Sequence, residues 1–200
     1  MIRKAGILMA AMCLSLPVWA DGDPDAGKAR SATCTACHGA DGNSINPEWP
    51  NLAQQHASYL VVQLEAYKTG DRSNALMTPM AMGLDEQARQ DLAAYYAARE
   101  LKGGTTDPAK LNAGRKIWRG GNPATGVSAC AACHGPNGHG NPGAKMPRLA
   151  GQHAKYLADQ LRLYASGERK TDKDQMMRNI AAAMTDAEIE AVSSYAQGLR

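Results

Sequence analysis

The chain has 200 residues and a formal charge of +3, with 44% hydrophobic residues, 5% aromatics and no phenylalanine. At about 100–150 residues per domain this length allows one or two domains, and so modest a charge gives no reason to expect nucleic acid as a partner. So few aromatics leave a small domain little with which to build a core, which predicts that something other than side chains fills it.

Residues 1–20 read as a secretory signal peptide. Arg3 and Lys4 form its positive start, Ala5 to Leu16 its apolar stretch, and Val18-Trp19-Ala20 its small-residue cleavage site. The apolar run is too short to span a bilayer as a helix. Cys13 lies inside it, and Met12 before it does not fit a lipoprotein site. Export places the mature chain in the periplasm and leaves it with a charge of +1.

A first helix is expected around Gly27, leading to Cys34-Thr35-Ala36-Cys37-His38-Gly39. A middle helix is expected from about His56 to Tyr67, with Tyr59, Leu60, Gln63, Leu64 and Tyr67 at helical spacing. A last helix begins near Asp85 and carries Leu92 and Tyr95 inward. Lys102 to Pro108 reads as a linker rich in turn residues.

The pattern then repeats. Cys130-Ala131-Ala132-Cys133-His134-Gly135 repeats the first motif, and Pro147 to Leu157 repeats Pro50 to Leu60. Gln63-Leu64, Tyr67, Gly70 and Arg72 recur as Gln160-Leu161, Tyr164, Gly167 and Arg169. Ala113-Gly114-Arg115 repeats Ala26-Gly27-Lys28, and the last helix starts at Thr185, where Glu188 completes a capping box. Gly27 and Gly114 would let the first and last helices of each copy cross closely. No segment alternates as a strand should. The expected fold is all-α, with two tandem domains of three main helices each, residues 21–102 and 103–200.

Cys-x-x-Cys followed by His is a c-type haem attachment signature. Two thiols must reach two vinyl groups on one edge of the porphyrin, and the next residue must bring an imidazole under the iron; one helical turn does both. A redox dithiol would call for a βαβ setting, a structural zinc for four closing ligands, and a plain disulfide would not require the histidine. Two motifs at equivalent places predict two covalently bound haems, through Cys34 and Cys37 and through Cys130 and Cys133, with His38 and His134 as proximal iron ligands.

An electron-shuttling haem needs its sixth position filled, and methionine there raises the potential. Met77 lies 18 residues before Tyr95 and Met177 lies 18 before Tyr195, and in that register only these two positions are Met in both copies. Met77 and Met177 are therefore the expected sixth ligands, with Met80 the rival in the first copy. Met82, Met176 and Met184 read as core filler. His56 and His153 also match, so bis-histidine ligation is an alternative, weighed against a structural or solvated role for a histidine at a helix start.

These motifs resemble the cytochrome c4 family of dihaem class I c-type cytochromes, over essentially all of residues 21–200. The resemblance rests on Cys-x-x-Cys-His-Gly with Asp41-Gly42-Asn43-Ser44, on Pro-x-Leu-Ala-x-Gln, on Leu76-Met77-Thr78 and on Ser193 to Leu199. It implies two cytochrome c folds about a pseudo-twofold axis, with haem propionates meeting at the interface. It also implies that the carbonyls of Pro50 and Pro147 orient the two proximal histidines. Gln54 stands where the second copy and the family have glycine, here Gly151. The family is implied to carry electrons from membrane respiratory complexes to terminal oxidases.

Six-coordinate iron has no open position, so the expected function is electron transfer without substrate chemistry. The alternatives are a cytochrome subunit of a flavoprotein or quinoprotein dehydrogenase, and a dihaem peroxidase, which would need one open iron. Residues 21–102 carry 7 Lys and Arg against 11 Asp and Glu, net −4, and residues 103–200 carry 13 against 8, net +5. The acidic half should favour Fe(III) and the lower potential, so electrons would enter there and dwell on the second haem. The basic half suits an acidic redox partner, in a salt-sensitive association, or loose contact with a membrane surface.

Overall fold

The computed structural model describes residues 22–200; the leader assigned to residues 1–20 lies outside them. The N-terminal half contains α1 (Pro24–Arg30), α2 (Ala32–His38), α3 (Ala57–Thr69), α4 (Met77–Met82) and α5 (Glu86–Ala97). The C-terminal half contains α6 (Leu111–Gly120), α7 (Ala131–His134), α8 (Ala154–Ala165), α9 (Met176–Ala182) and α10 (Asp186–Gly198), with a 3-10 turn over Lys173–Gln175 before α9. Among the described residues the only extended pairings are isolated bridges, Asn122 with Val127 and Asn141 with Met146.

The three main helices expected per copy are α1, α3 and α5, and α6, α8 and α10. Each half adds two short helices, one bearing the thiols and one the methionine. At four to seven residues, these are too short for hydrophobic periodicity to register. The halves also differ. Ser31 alone separates α1 from α2, whereas a loop over 121–130, tied by the Asn122–Val127 bridge, separates α6 from α7.

Gly27 and Gly114 act as expected. A methyl on Gly27 would sit 2.0 Å from the Asp91 carbonyl oxygen, and one on Gly114 would sit 2.3 Å from that of Ala191. The first and last helices of each half thus pack backbone to backbone. Beside each crossing lies a small apolar core. Leu60, Leu92, Tyr95 and Tyr96 pack with Cys34 in one half, and Ile117, Trp118, Leu157, Val192 and Tyr195 pack with Cys130 in the other.

The caps are side-chain made. Asp85 accepts from Ala88 N at 2.7 Å, and Thr185 with Glu188 forms the full capping box. The Thr185 backbone N–H, then the Asn122 amide, hold the Glu188 carboxyl below the usual glutamate range. A depressed folded pKa contributes stability that is present above the unfolded value and lost as pH falls through the folded one. Glu188→Gln should therefore flatten the loss of thermal stability below pH 4.5, by a small amount because the group is exposed. At neutral pH, Thr185→Ala should cost about 1 kcal/mol in a denaturant titration.

Gln54 takes the left-handed conformation of its counterpart, with φ 58° against 74° at Gly151. Gln54 N donates to Tyr96 O at 3.0 Å and Gly151 N donates to Ala196 O at 3.1 Å, so the turn is the same and only its residue is strained. Gln54→Gly is expected to raise the stability of the N-terminal half by about 0.5–1 kcal/mol, since a non-glycine residue held left-handed costs at least that much.

The halves join about a pseudo-twofold axis marked by paired hydrogen bonds. Gln55 Nε2 donates to Arg148 O and Arg148 N to Gln55 Oε1, both at 2.9 Å. Equivalently, Gln152 Nε2 donates to Asn51 O at 2.9 Å and Asn51 N to Gln152 Oε1 at 2.8 Å. At the centre lie two buried arginines. Arg72 donates to Gln63 Oε1, Gln160 Oε1 and Tyr156 Oη, and Arg169 to Gln160 Oε1, Gln63 Oε1 and Tyr59 Oη, all at 2.8–2.9 Å. Burial alone would raise the Tyr156 hydroxyl pKa, but the two guanidinium charges draw it down. Tyr59 and Gln63, at helical spacing on α3, therefore face the other half of the molecule.

Candidate functional site

Each expected site is assembled from two short helices and one loop. On α2, Cys34 and Cys37 are one turn apart and His38 follows; on α7 the same turn carries Cys133 and His134, with Cys130 as its N-cap. All four thiols are unpaired, so the close spacing does not make a disulfide. Burial pushes the Cys34 thiol above its usual pKa and that of Cys130 up to about 11. Such thiols lack the depressed pKa of a reactive redox dithiol.

The histidines are the most constrained groups. His38 and His134 are 6% and 7% exposed. His38 Nδ1 donates to Pro50 O at 2.9 Å and His134 Nδ1 to Pro147 O at 3.1 Å. A carbonyl can only accept, so Nδ1 carries the proton and Nε2 keeps its lone pair. Burial holds both imidazoles below their usual pKa, against the opposing pull of the proline carbonyls, so they are neutral and in the ligating form. The proline carbonyls stand where the family resemblance implied.

Met77 opens α4, and Met177 is the second residue of α9. Each precedes by one turn an alanine that is 0% exposed, Ala81 and Ala181. Residues at i and i+4 share a helix face, so both methionines lie on the inward side. Met80, three positions on, is 56% exposed. Met184 packs on the C-terminal core as expected of filler. Met82 and Met176 do not: both are exposed, because α4 and α9 are single-sided and their inner face is already taken. The other matched histidines are interface groups: His56 Nε2 donates to His139 O at 2.7 Å and His153 Nε2 to Ser44 O at 2.9 Å.

The donor set fits an iron porphyrin better than a bare ion. Among the described residues no group of three or more His, Cys, Asp and Glu side chains is placed to hold a metal by itself. Each half offers two thiols and one free Nε2 on a single helical turn, the arrangement that covalent haem attachment needs. The buried arginine pair, the histidine bridges between halves and the strained loop before Met177 were not read from the sequence. The recurrence of Gln63, Arg72 and His56 in the second copy was the available signal, and it does not by itself say whether these side chains meet solvent or the other half.

A two-thiol, one-imidazole seat repeated in each all-helical half defines a c-type cytochrome with two haems, and the cytochrome c family model matches residues 25–98 and 113–200. The chain belongs to the cytochrome c4 family, binds two haems covalently and is an electron carrier. It is 49% identical over 180 residues to cytochrome c4 of Thiocapsa roseopersicina, covering 89% of this chain and 93% of that one. Its fold superposes on the crystal structure of reduced recombinant cytochrome c4 from Pseudomonas stutzeri with a TM-score of 0.87 at 43% identity, covering 90% of this chain and 100% of that one. It is also 38% identical over 167 residues to a thiosulfate dehydrogenase electron acceptor of Stutzerimonas stutzeri, covering 81% of this chain and 76% of that one.

Proposed function

We propose that residues 21–102 carry one haem on Cys34 and Cys37 between His38 and Met77, and residues 103–200 a second on Cys130 and Cys133 between His134 and Met177. The observation that carries this reading is the pair of buried imidazoles directed by proline carbonyls, each with a free Nε2 next to two free thiols. Iron closed on both faces supplies one-electron exchange between Fe(III) and Fe(II) and leaves no position for a substrate, so the protein is not an enzyme. Pro50 and Pro147 fix the imidazole planes and raise their basicity. The hydrogen-bonded interface holds the two sites in one fixed relation.

The carrier works in the periplasm, taking electrons from a membrane respiratory complex and passing them to a terminal oxidase. A second donor is favoured by the similarity to a thiosulfate dehydrogenase electron acceptor, namely a sulfur-oxidising dehydrogenase. Reduction of the purified holoprotein by a quinol-oxidising complex, compared with reduction by a thiosulfate-oxidising enzyme, separates the two. Fast turnover with the second alone would remove the respiratory donor.

The ligand assignment is tested by spectroscopy. Met77→His and Met177→His should each abolish one sulfur-to-iron charge-transfer band at the red end of the oxidised spectrum; survival of both bands rejects it. The net charges of −4 and +5 on the halves predict two redox waves, the lower belonging to the N-terminal haem. An anaerobic titration giving one unsplit wave, or the opposite order in the two variants, would remove that assignment.

A further inference from the structure

The two methionine loops are built differently. Met77 follows Arg72 by five positions, whereas Met177 follows Arg169 by eight. In the shorter loop a neutral side chain suffices: Asn74 Oδ1 accepts from Leu76 N at 3.0 Å and Met77 N at 2.9 Å, and Asn74 N donates to Thr78 Oγ1 at 3.1 Å. In the longer loop Asp174 and Gln175 are both left-handed, with φ 52° and 60°. Two successive non-glycine residues in that region persist only where the surroundings over-determine them.

The surrounding group is an ion pair that closes around the strained turn. The Asp172 side chain is 2% exposed and that of Arg178 25%. Asp172 Oδ1 accepts from Arg178 Nε at 2.8 Å, and Oδ2 accepts from the Arg178 backbone N–H at 3.0 Å. The carboxylate thus grips both the side chain and the peptide of the residue directly after Met177. A charge-assisted pair of bonds in a buried setting is worth much more than the neutral cap of the other loop.

We propose that Asp172 and Arg178 are positioning residues for the Met177 thioether. Their clamp holds a strained loop shut over the C-terminal haem seat, and the N-terminal seat has no equivalent. The inference rests on Met177 being the sixth ligand. Neither residue touches the iron; each acts by fixing the backbone on both sides of Met177. The strain makes the C-terminal thioether firmly held while the clamp stands and readily lost once it is removed.

The test is displacement of the thioether by imidazole in the oxidised holoprotein, followed at the sulfur-to-iron band. Met77→His leaves a band reporting the C-terminal site alone, and Met177→His one reporting the N-terminal site alone. In the first background, Asp172→Asn and Arg178→Gln should each raise the apparent imidazole affinity about tenfold, the loss of roughly one charge-assisted bond. In the second they should change nothing. Gln175→Gly, which relieves strain and leaves the clamp intact, should lower imidazole affinity at the C-terminal site about threefold. It keeps the inference testable should Asp172→Asn fail to fold.

Unchanged affinity in all three variants, or an equal rise at both sites, overturns the clamp. A red band that persists at the C-terminal site in Met177→His overturns the ligand reading, and the clamp with it. If Met177→His removes that band but, in the Met77→His background, Asp172→Asn and its parent yield the thioether to imidazole equally, the clamp alone is overturned.

Discussion

Gly114→Ala should lower the thermal midpoint of the C-terminal half by on the order of 10–20 °C and leave the N-terminal half close to its original melt, with Gly27→Ala doing the converse. A methyl at Gly114 would lie 2.3 Å from Ala191 O and 2.6 Å from Tyr195 Cβ; at Gly27 the distances are 2.0 Å to Asp91 O and 2.8 Å to Tyr95 Cβ. These contacts are backbone or the root of a side chain, so no rotamer change relieves them. Alanine gains about 1 kcal/mol of helix propensity over glycine, while overpacking costs up to about 3 kcal/mol and more where the backbone must shift. The second effect is larger, so the helices must separate. A net loss of about 2–3 kcal/mol in a domain of this size corresponds to the stated shift. Soret absorbance would follow the halves together, and far-ultraviolet circular dichroism would resolve two steps. A single unshifted melt in both variants would mean that the crossings are not what holds each half together.

Arg169→Met should cost about 2–4 kcal/mol of interface stability, because hydrogen bonds from a charged group contribute about 1.5–3 kcal/mol each when buried. Arg169 is 5% exposed, stacks on the Tyr164 ring at 4.6 Å and donates to acceptors in both halves. Arg72 mirrors it over Tyr67, likewise at 4.6 Å. The two cations share the oxygens of Gln63 and Gln160, so removing one leaves both carboxamides with a partner and also relieves repulsion between like charges. The double variant Arg72→Met with Arg169→Met loses that protection. Its cost should differ from the sum of the single costs by more than about 0.5 kcal/mol, the usual mark of residues in one network. Strict additivity in a denaturant-unfolding cycle would show that the two arginines act independently. Electron exchange between the two haems should slow in the same variants, since a loosened interface no longer holds the two sites in register.

Much of the site was legible before any coordinates. The thiol and imidazole positions follow from covalent geometry that one helical turn must satisfy, so Cys34, Cys37 and His38 and their repeats could be named directly. The methionine candidates came from register, since Met77 and Met177 are the pair at equal distance from Tyr95 and Tyr195. The core-filler reading failed for Met82 and Met176 because a helix of six or seven residues has one inner face, and composition does not say which residue takes it. The interface was not legible either. Gln63, Arg72, Gln160 and Arg169 were seen to repeat, but a polar residue at helical spacing does not announce whether it meets solvent or a second copy of its own domain.

The amino-acid order by itself determined the repeat, the all-helical architecture, the number of haem seats and the close helix crossings at Gly27 and Gly114. Those features depend on contacts only a few residues apart or on a pattern present twice. Only the tertiary structure decided that the halves meet through a buried arginine pair, that His56 and His153 bridge them, and that Asp172 reaches across a strained turn to Arg178. These contacts depend on where distant segments come to rest, and the same side chains would be acceptable on a solvated surface.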